Sequence, residues 1–379
     1  MRILMICTEK LPVPPIRGGA IQTYIHNVSL ILAKHHELTI IGIEDVDLPS
    51  EETRNSIRFI RVPRSETITE YAGHIVSFLK NNVFDLIHIF NRPKMVLPVR
   101  SAAPDSRIVL SMHNDMFDPL KLSPREGVKI IEQCDSIVTV SNYVGERIEQ
   151  FYPIVASKWT TVYSGVDLAR FVPWKSSKTA TQCRERLRRE FKLVNKTVIL
   201  FAGRLSVKKG ADVLIRSLYQ LKAYHKDAVL VVVGGAWYSS NKISDYIAYL
   251  KCLAERSPIP VILTGYVAGE QIHEWFWAAD VFICPSQWNE PLARVHYEAM
   301  AAGLPIVTTA RGGNAEVMDS ANGIVIAEPD STEEMASSLG KLLASEGLRQ
   351  RMGASGRTKA QQQFSWQRVA DQLLEIWGK

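Results

Sequence analysis

The sequence predicts an α/β protein with two doubly wound domains, each a mostly parallel sheet between layers of helices. Three observations support this fold class. The 379 residues exceed the usual length of a single domain and can form two full cores. Short, near-continuous apolar runs alternate with longer helical patterns, which is typical of parallel strands buried on both faces. The alternation stops once, in the polar stretch FVPWKSSKTATQ, and then starts again.

The predicted elements follow this division. Residues 1–165 form the first domain, 166–180 a linker and 181–363 the second domain. Apolar residues recur at helical spacing in FSWQRVADQLLEIWGK, which predicts a closing amphipathic helix over 364–379. The predicted strands are RILMIC (2–7), ELTIIGI (37–43), IRFIRV (57–62), DLIHIF (85–90), IVLSM (108–112) and SIVTVS (136–141), then VILFAG (198–203), AVLVVVG (228–234), VILTG (261–265), DVFICPS (280–286), IVTT (306–309) and GIVI (323–326).

Composition excludes several classes of protein. Apolar residues at 46% and charged residues at 22% are globular values, so a disordered or fibrous chain is excluded. Five scattered cysteines without a C-x-x-C pair fit neither a zinc site nor a disulfide framework and indicate a reducing cytosol. The first apolar run is too short for a signal peptide, and no run approaches the roughly 18 residues of a membrane span. A net charge of +6 favours anionic partners, whether nucleotide phosphates, acidic lipids or nucleic acid.

The stretch NEPLARVHYEAMAAGLP contains two glutamates, Glu290 and Glu298. Because Pro291 suits a first helical turn, we predict Glu290 as the N-cap of a helix that runs to about Ala302. The two carboxylates would then lie roughly 12 Å apart along the helix axis, a spacing that suits a long ligand with hydroxyls at both ends and negative charge between. The alternative is that one is an exposed acidic residue and the other an ordinary glutamate on a helix face. Free N–H groups at the helix start would form an anion site at Leu292, Ala293 and Arg294.

Three further stretches follow predicted strands. FAGRLSVKKG carries Arg204 and Lys209 into a helix start, where basic residues can hold a diphosphate without a metal, although lysines there are often merely solvated. Gly18 and Gly19 precede a helix, where bare backbone can approach a phosphate or a sugar. His113 could donate a hydrogen bond to a sugar, although a single histidine is more often structural. Ligands of open α/β sheets bind at strand carboxyl ends, so we expect these sites to line a cleft between the domains.

Two common nucleotide-binding motifs are absent. Neither G-x-G-x-x-G after the first strand nor G-x-x-x-x-G-K-[ST] occurs, which argues against a dehydrogenase and a P-loop protein. The chain contains five other patterns: E-P-x-x-x-x-x-x-E-A-M-A-x-G-x-P-I-V, G-R-L…K-G, the early Gly-Gly, S-G-V-D and G-G-x-x-E. In these patterns the chain resembles the GT-B glycosyltransferases of family 4. This resemblance covers nearly the whole length of the chain. It implies a GT-B fold of two Rossmann-like domains, the first on the acceptor side and the second binding the donor.

The resemblance also implies roles for individual residues. Glu298 would bind the ribose, Glu290 the hydroxyls of the transferred sugar, and Arg204 and Lys209 the diphosphate. Gly265, Tyr266 and Val267 would border the base, Glu316 would face the cleft, and Trp366 would lie where the last helix crosses to the first domain. The implied catalytic residues are Glu290, His113, Arg204 and Lys209. The implied donor-binding residues are Gly19, Arg204, Lys209, Gly235, Val267, Glu290, Leu292, Ala293, Arg294 and Glu298.

The chain departs from the family pattern at several positions. Ala293 and Arg294 replace the glycine and leucine of P-F-G-L, which narrows the approach to the sugar and adds a charge that could bind a phosphate or an acidic sugar. VVGGAWYSSN keeps Gly234 and Gly235 of V-G-x-G-P, while Trp237 is either an acceptor platform or, as we favour, a packing residue. We expect the helix over CRERLRREFK (183–192) to pack its apolar face on the second domain with its arginines solvated, against a membrane-surface or nucleic-acid role.

The resemblance implies a retaining glycosyltransferase that needs no metal ion and no cofactor. It would move a sugar from a nucleoside-diphosphate sugar, with a UDP-sugar expected, to a glycan, lipid or small-molecule hydroxyl, without a nucleic-acid partner. The motifs closely resemble those of a member from endospore-forming bacilli. This resemblance implies a cytoplasmic protein of spore coat or cell-surface glycan synthesis and leaves open peripheral attachment to a membrane or a spore coat. The alternative is a non-catalytic, sugar-binding structural protein. A glycoside hydrolase is excluded because its carboxyls lie within about 10 Å of each other.

Overall fold

The computed structural model describes residues 1–221, 225, 227–236 and 243–378. The chain divides into two compact units. The first comprises Met1–Gly165 and Trp366–Lys379, and the second comprises Val166–Ser365.

The sheet of the first unit contains every strand predicted there. Its strands are β1 (Arg2–Ile6), β2 (Glu37–Ile43), β3 (Glu51–Arg54), β4 (Ile57–Val62), β5 (Leu86–Phe90), β6 (Arg107–Met112), β7 (Ser136–Thr139) and β8 (Trp159–Thr161). They lie in the order β3-β4-β2-β1-β5-β6-β7-β8, and β3 pairs antiparallel with β4 while the other pairs are parallel. The two edge strands β3 and β8 were not predicted, because one is polar and exposed and the other has three residues.

The second unit has a fully parallel sheet, and all its predicted strands are confirmed. They are β9 (Thr197–Ala202), β10 (Ala228–Val233), β11 (Val261–Gly265), β12 (Val281–Cys284), β13 (Ile306–Thr309) and β14 (Gly323–Ile326), in the order β11-β10-β9-β12-β13-β14. Because β9 and β12 are neighbours with the same direction, the loops after their carboxyl ends begin side by side. This topology brings together residues that are about 80 positions apart in the sequence.

Most helices begin at a side-chain cap. The helices are α1 (Ala20–Leu32), α2 (Ile68–Leu79), α3 (Val96–Ala102), α4 (Pro124–Gln133), α5 (Asn142–Phe151), α6 (Lys178–Glu190), α7 (Ala211–Leu221), α8 (Asp245–Arg256), α9 (Ile272–Ala278), α10 (Val295–Ala301), α11 (Thr332–Ala344), α12 (Glu346–Gln363) and α13 (Trp366–Gly378). In α2, α4, α5, α6, α8, α11 and α12 a serine or threonine oxygen accepts a hydrogen bond from a backbone N–H of the first turn.

The last helix, α13, packs within the first unit. Its buried face includes Trp366, Val369 and Leu373, which join the core formed by β1, β2 and α1. The ring of Trp366 meets the ring of Tyr24 edge-on with centroids 5.6 Å apart. A side chain at Gly165 would collide with the Trp366 ring, so this glycine makes room for it. The predicted amphipathic helix is therefore present and begins at Trp366.

The stretch predicted as a linker lies within the second unit. It contains a short 3₁₀ turn at Trp174–Ser176, and α6 already begins at Lys178. Leu187 of α6 is buried and Phe191 packs edge-on against Trp275, as the apolar spacing predicts. The apolar face of α6 therefore contacts the second unit.

The expectation that the arginines of α6 are solvated is wrong for two of them. Arg184 is 9% exposed and donates to the carbonyls of Trp277 and Ala279 and to Asp280. Arg188 donates to the carbonyl of Ala278 and to Asp280. The last carbonyls of α9 have no partner within their helix, and these guanidinium groups satisfy them.

The cysteines carry no disulfide. Cys7, Cys134 and Cys284 are buried free thiols, and burial raises the pKa of Cys7 and of Cys134 to about 12. They are therefore protonated packing residues at neutral pH. Within the described ranges, no helix is long and apolar enough to cross a lipid bilayer.

Candidate active site

Two loops at the carboxyl edge of the second sheet are held against each other. The lysine turn, residues 207–210, follows β9, and the Glu290 loop, residues 285–294, follows β12. The backbone N–H of Gln287 donates to the carbonyl of Lys208 at 2.8 Å. Gly210 has a φ of 70°, and a β-carbon there would lie 2.0 Å from the carbonyl oxygen of Pro285. Glycine is therefore required for this close approach.

The carboxylate of Glu290 lies at the centre of this contact. Its Oε2 accepts hydrogen bonds from Lys209 Nζ at 2.7 Å, Ser286 Oγ at 3.1 Å and Trp288 Nε1 at 2.7 Å. The side chains of Glu290 and Lys209 are only 10% and 20% exposed, so the ion pair is largely withdrawn from water. Sequence reasoning selected Glu290 and Lys209, and the structure brings them into contact. Sequence reasoning missed Ser286 and Trp288. The available signal was an indole N–H donor only two positions before Glu290 in the sequence.

The prediction that Glu290 is the N-cap of the helix that follows it is wrong, whereas the predicted end of this helix near Ala302 is confirmed. Helix α10 spans Val295–Ala301, and its N-cap position is Arg294, without a side-chain cap. The Glu290 loop makes tertiary hydrogen bonds instead of a first helical turn. The carbonyl of Glu290 accepts from Gly313 N at 2.8 Å, and Ala293 N donates to Asn314 Oδ1 at 3.1 Å.

The predicted anion site at Leu292, Ala293 and Arg294 loses its geometric basis, because these residues do not form the first turn of a helix. The residues concerned are in a loop, one of their N–H groups is already bonded to Asn314, and two of the side chains are buried. The estimate of about 12 Å between the two glutamates assumed a continuous helix and no longer applies.

Two groups hold the Glu290 loop from the other side. Gly312, with a φ of 58°, lets the chain pass so close that a β-carbon would lie 2.0 Å from the carbonyl oxygen of Glu290. His296 is fully buried, with Nδ1 2.8 Å from the carbonyl oxygen of Ala293 and Nε2 2.8 Å from Thr308 Oγ1. Burial lowers the pKa of His296 to about 4, so the ring is neutral at pH 7 and links the loop to β13. Because the Ala293 carbonyl can only accept, Nδ1 carries the proton.

Glu298 has a different set of partners. It lies in the first turn of α10, and its Oε1 is 3.7 Å from Arg294 Nη2. Burial raises the pKa of Glu298, and the positive charges of Arg294 and Arg170 oppose this shift. Arg294, whose charge departs from the family pattern, therefore lies beside Glu298. Among the described residues, the carboxylates of Glu290 and Glu298 share no hydrogen-bond or ion-pair partner.

The remaining predicted residues of the second unit border the same edge of the sheet. Arg204 is exposed just after β9, and the carbonyl of Gly235 accepts from Leu205 N at 2.9 Å. Gly234 N donates to the carbonyl of Gly265 at 3.0 Å, which joins the ends of β10 and β11. Tyr266, Val267 and Glu316 are partly exposed, and Trp237 lies outside the described residues.

In the first unit, Gly18 and Gly19 precede α1. Gly19 is the N-cap with a φ of 103°. Gln22, one turn later, is buried and donates to Thr8 Oγ1 and to the carbonyl of Leu11, which fixes the loop after β1. The two glycines therefore lie at a strand-to-helix turn, as predicted.

His113 follows β6 and is positioned by a residue that sequence reasoning missed. The side chain of Asn91 accepts from the backbone N–H groups of His113 and Asn114, both at 3.0 Å. The ring of His113 meets the Tyr24 ring edge-on, with centroids 5.0 Å apart. Arg92, the residue after Asn91, forms a two-pronged ion pair with Glu9 at 2.5 and 2.8 Å. Burial opposes ionisation of Glu9, but the hydrogen bonds and charge of Arg92 outweigh it and lower its pKa.

Comparison with known proteins identifies the family. The model of "Glycosyltransferase Family 4" matches residues 18–170, and that of "Glycosyl transferases group 1" matches residues 184–359. The chain is 40% identical over 381 residues to spore coat protein SA of Bacillus subtilis, with both chains fully covered. This chain is a family 4 glycosyltransferase. The resemblance inferred from the sequence motifs is confirmed, and the similarity to a member from endospore-forming bacilli is that to spore coat protein SA.

Other relatives of this family 4 glycosyltransferase extend over the whole chain. A GDP-mannose-dependent α-(1-6)-phosphatidylinositol monomannoside mannosyltransferase of Mycolicibacterium smegmatis is 28% identical, with 96% of this chain and 95% of the relative covered. The crystal structure of Anabaena Alr3699/HepE in complex with UDP and glucose superposes with a TM-score of 0.79 at 18% identity, with both chains fully covered. The GT-B fold is therefore confirmed.

A cavity of about 530 Å³ lies at the opposite, amino edge of the second sheet of this glycosyltransferase. Residues just before β12 and β13 line it, together with one face of α12. Arg357 in its wall donates to the carbonyls of Leu168, Phe171 and Ala301. These contacts join α12 to the segment at the start of the second unit and to the end of α10, so we assign Arg357 a packing role.

The tether of the Glu290 loop can be tested by Gly312→Ala. We expect the free energy of unfolding to fall by about 2 kcal/mol or more, because alanine combines a left-handed φ with a backbone collision. Gly269→Ala is the control, since its β-carbon would meet nothing within 4 Å. Urea denaturation of both variants measures the difference. Equal stability of the two would contradict the assigned tether.

Proposed function

We propose that this glycosyltransferase transfers a sugar from a UDP-sugar to an acceptor hydroxyl with retention of anomeric configuration, without a metal ion or a bound cofactor. The acceptor would belong to a spore coat or cell-surface glycan. The second unit would bind the donor, and the first would serve the acceptor side. The protein would work in the cytoplasm, with attachment to a spore coat or a membrane surface as an additional proposal.

The Lys209–Glu290 pair carries this proposal. A carboxylate held by three donors has a fixed orientation, and such an oxygen can hydrogen-bond a sugar hydroxyl. Arg204 and Lys209 both lie in the segment between β9 and α7, so two positive charges are proposed to stabilise the charge that develops on a departing diphosphate. The retaining outcome is an expectation from the family.

The separate partner sets of the two glutamates support separate roles. Glu290 is proposed to bind the sugar, and Glu298, at the start of α10, to bind the ribose. Arg294 lies beside Glu298, so a ribose hydroxyl would compete with Arg294 for that carboxylate. The proposed roles of Leu292, Ala293, Gly235 and Val267 at the donor, and of Gly19 and His113, stay predictions.

The base and the sugar of the donor are chosen by analogy. Structures of Anabaena Alr3699/HepE contain UDP, UDP-glucose, or UDP with glucose, whereas the mycobacterial relative is named for GDP-mannose. We favour UDP because these structural neighbours cover the whole chain. The named acceptors of relatives include a phosphatidylinositol mannoside, which supports a glycan or lipid acceptor.

A second candidate function is a sugar-binding structural protein without turnover. The name of the Bacillus subtilis relative and the change to Ala293 and Arg294 favour it. The intact Lys209–Glu290 contact favours the enzyme, because a protein that only binds sugar has no departing diphosphate to neutralise.

Turnover by the purified protein tests the proposal. With UDP-sugars and a panel of acceptors, we expect UDP release and transfer that persist in EDTA, because Arg204 and Lys209 neutralise the leaving group. Loss of transfer in EDTA and recovery with magnesium or manganese would contradict metal independence. Binding of UDP-sugars without any release of UDP would favour the structural protein.

We expect alanine variants of the two glutamates to differ in UDP affinity and in kcat. Glu298→Ala should weaken binding of both UDP and the UDP-sugar by about tenfold, because ribose contacts are the same in both. Glu290→Ala should leave the affinity for free UDP unchanged and lower kcat, because its contacts are with the sugar. Isothermal titration with UDP measures the difference. Equal weakening of UDP binding by both variants would place the two carboxylates at one locus.

A further inference from the structure

The hydrogen bonds on Glu290 are distributed unevenly between its two oxygens. All three donors, Lys209, Ser286 and Trp288, bind Oε2. Oε1 has no hydrogen-bond partner among the residues that the structure describes. The carboxylate is therefore anchored through one oxygen, and the other remains available to a ligand.

The three donors differ in how permanent they are. Lys209 is a flexible cation, and under the proposed function it is also attracted to the diphosphate of the donor. Ser286 is fully buried in the Glu290 loop, two residues after β12, and its carbonyl accepts from Thr309 Oγ1 at 2.6 Å. Trp288 is a rigid ring in the same loop. If Lys209 moved towards a diphosphate, Ser286 and Trp288 would be the contacts that still hold Glu290.

A residue of the lysine turn contacts the ring of Trp288. Lys208 Nζ lies over its ring, 4.9 Å from the ring centroid. The backbone hydrogen bond from Gln287 to Lys208 fixes the same two segments at the neighbouring residue. One lysine of the turn thus contacts the ring of Trp288, and the next contacts the carboxylate that the ring orients.

We propose that Trp288 is a positioning residue for sugar transfer, whose indole N–H keeps the Glu290 carboxylate oriented with Oε1 towards a hydroxyl of the donor sugar. This inference rests on the proposed function. It assigns Trp288 no contact with UDP. Its loss should therefore affect the sugar end of the donor and leave the nucleotide end unchanged.

Trp288→Phe tests this, because it removes the indole N–H and keeps an aromatic face for Lys208. We expect kcat with the preferred UDP-sugar to fall about 10- to 100-fold, the range for loss of a hydrogen bond to a charged group. The Kd for free UDP should stay within about twofold. Discrimination between UDP-glucose and UDP-galactose should decrease, because the carboxylate that reads the hydroxyls is no longer fixed.

Trp277→Phe is the matched control. Its indole N–H donates to the carbonyl of Val172 at 3.0 Å, so the same group is lost elsewhere in the second unit. It should leave kcat and sugar discrimination unchanged, even where it lowers Tm. Melting curves of both variants show that the compared proteins are folded.

The outcomes separate this inference from the proposed function. If the wild-type protein neither binds nor turns over a UDP-sugar, both fall. If it turns over a UDP-sugar and Trp288→Phe keeps the wild-type kcat and discrimination, only the positioning role is overturned. A parallel loss of affinity for free UDP would also overturn it, because Trp288 would then act on nucleotide binding.

Discussion

A largely buried ion pair between Lys209 and Glu290 is the contact on which the candidate site depends. Its members follow different strands, β9 and β12, which are neighbours in a parallel sheet. A carboxylate withdrawn from water is costly without a counter-charge, so Lys209, Ser286 and Trp288 together make the position of Glu290 tolerable. The surrounding glycines permit the close backbone approaches that bring these groups together.

The short helix α10 divides the work of the two glutamates. Glu290 precedes it in a loop held by tertiary hydrogen bonds, while Glu298 lies in its first turn beside Arg294. Because the loop is fixed from both sides, by Gly312 to Asn314 and by His296, its geometry does not rely on helix propensity. A fixed, weakly hydrated carboxylate is suited to bind the hydroxyls of a sugar selectively. Donors that share a base differ in the arrangement of these hydroxyls.

The sequence predicted the last helix and every strand except the edge strands β3 and β8, because apolar periodicity is a local signal. It selected Lys209 and Glu290 as residues at strand ends, but it did not predict the contact between them. It failed where tertiary contacts override local preference. Pro291 favours a helix start, but hydrogen bonds from Gly313 and to Asn314 move the start to Val295. Arg184 looks solvated in a basic helix, yet it binds the end of α9, which is distant in the sequence.

The most direct test of the central ion pair is a double-mutant cycle with Lys209→Met and Glu290→Gln, measured as the free energy of unfolding in urea. If the pair is the main partner of each member, either single change leaves the other charge without its partner. The double variant should then lose less stability than the sum of the single losses, with a coupling energy of about 1–3 kcal/mol. Additivity of the two changes within about 0.5 kcal/mol would contradict the central role of this contact.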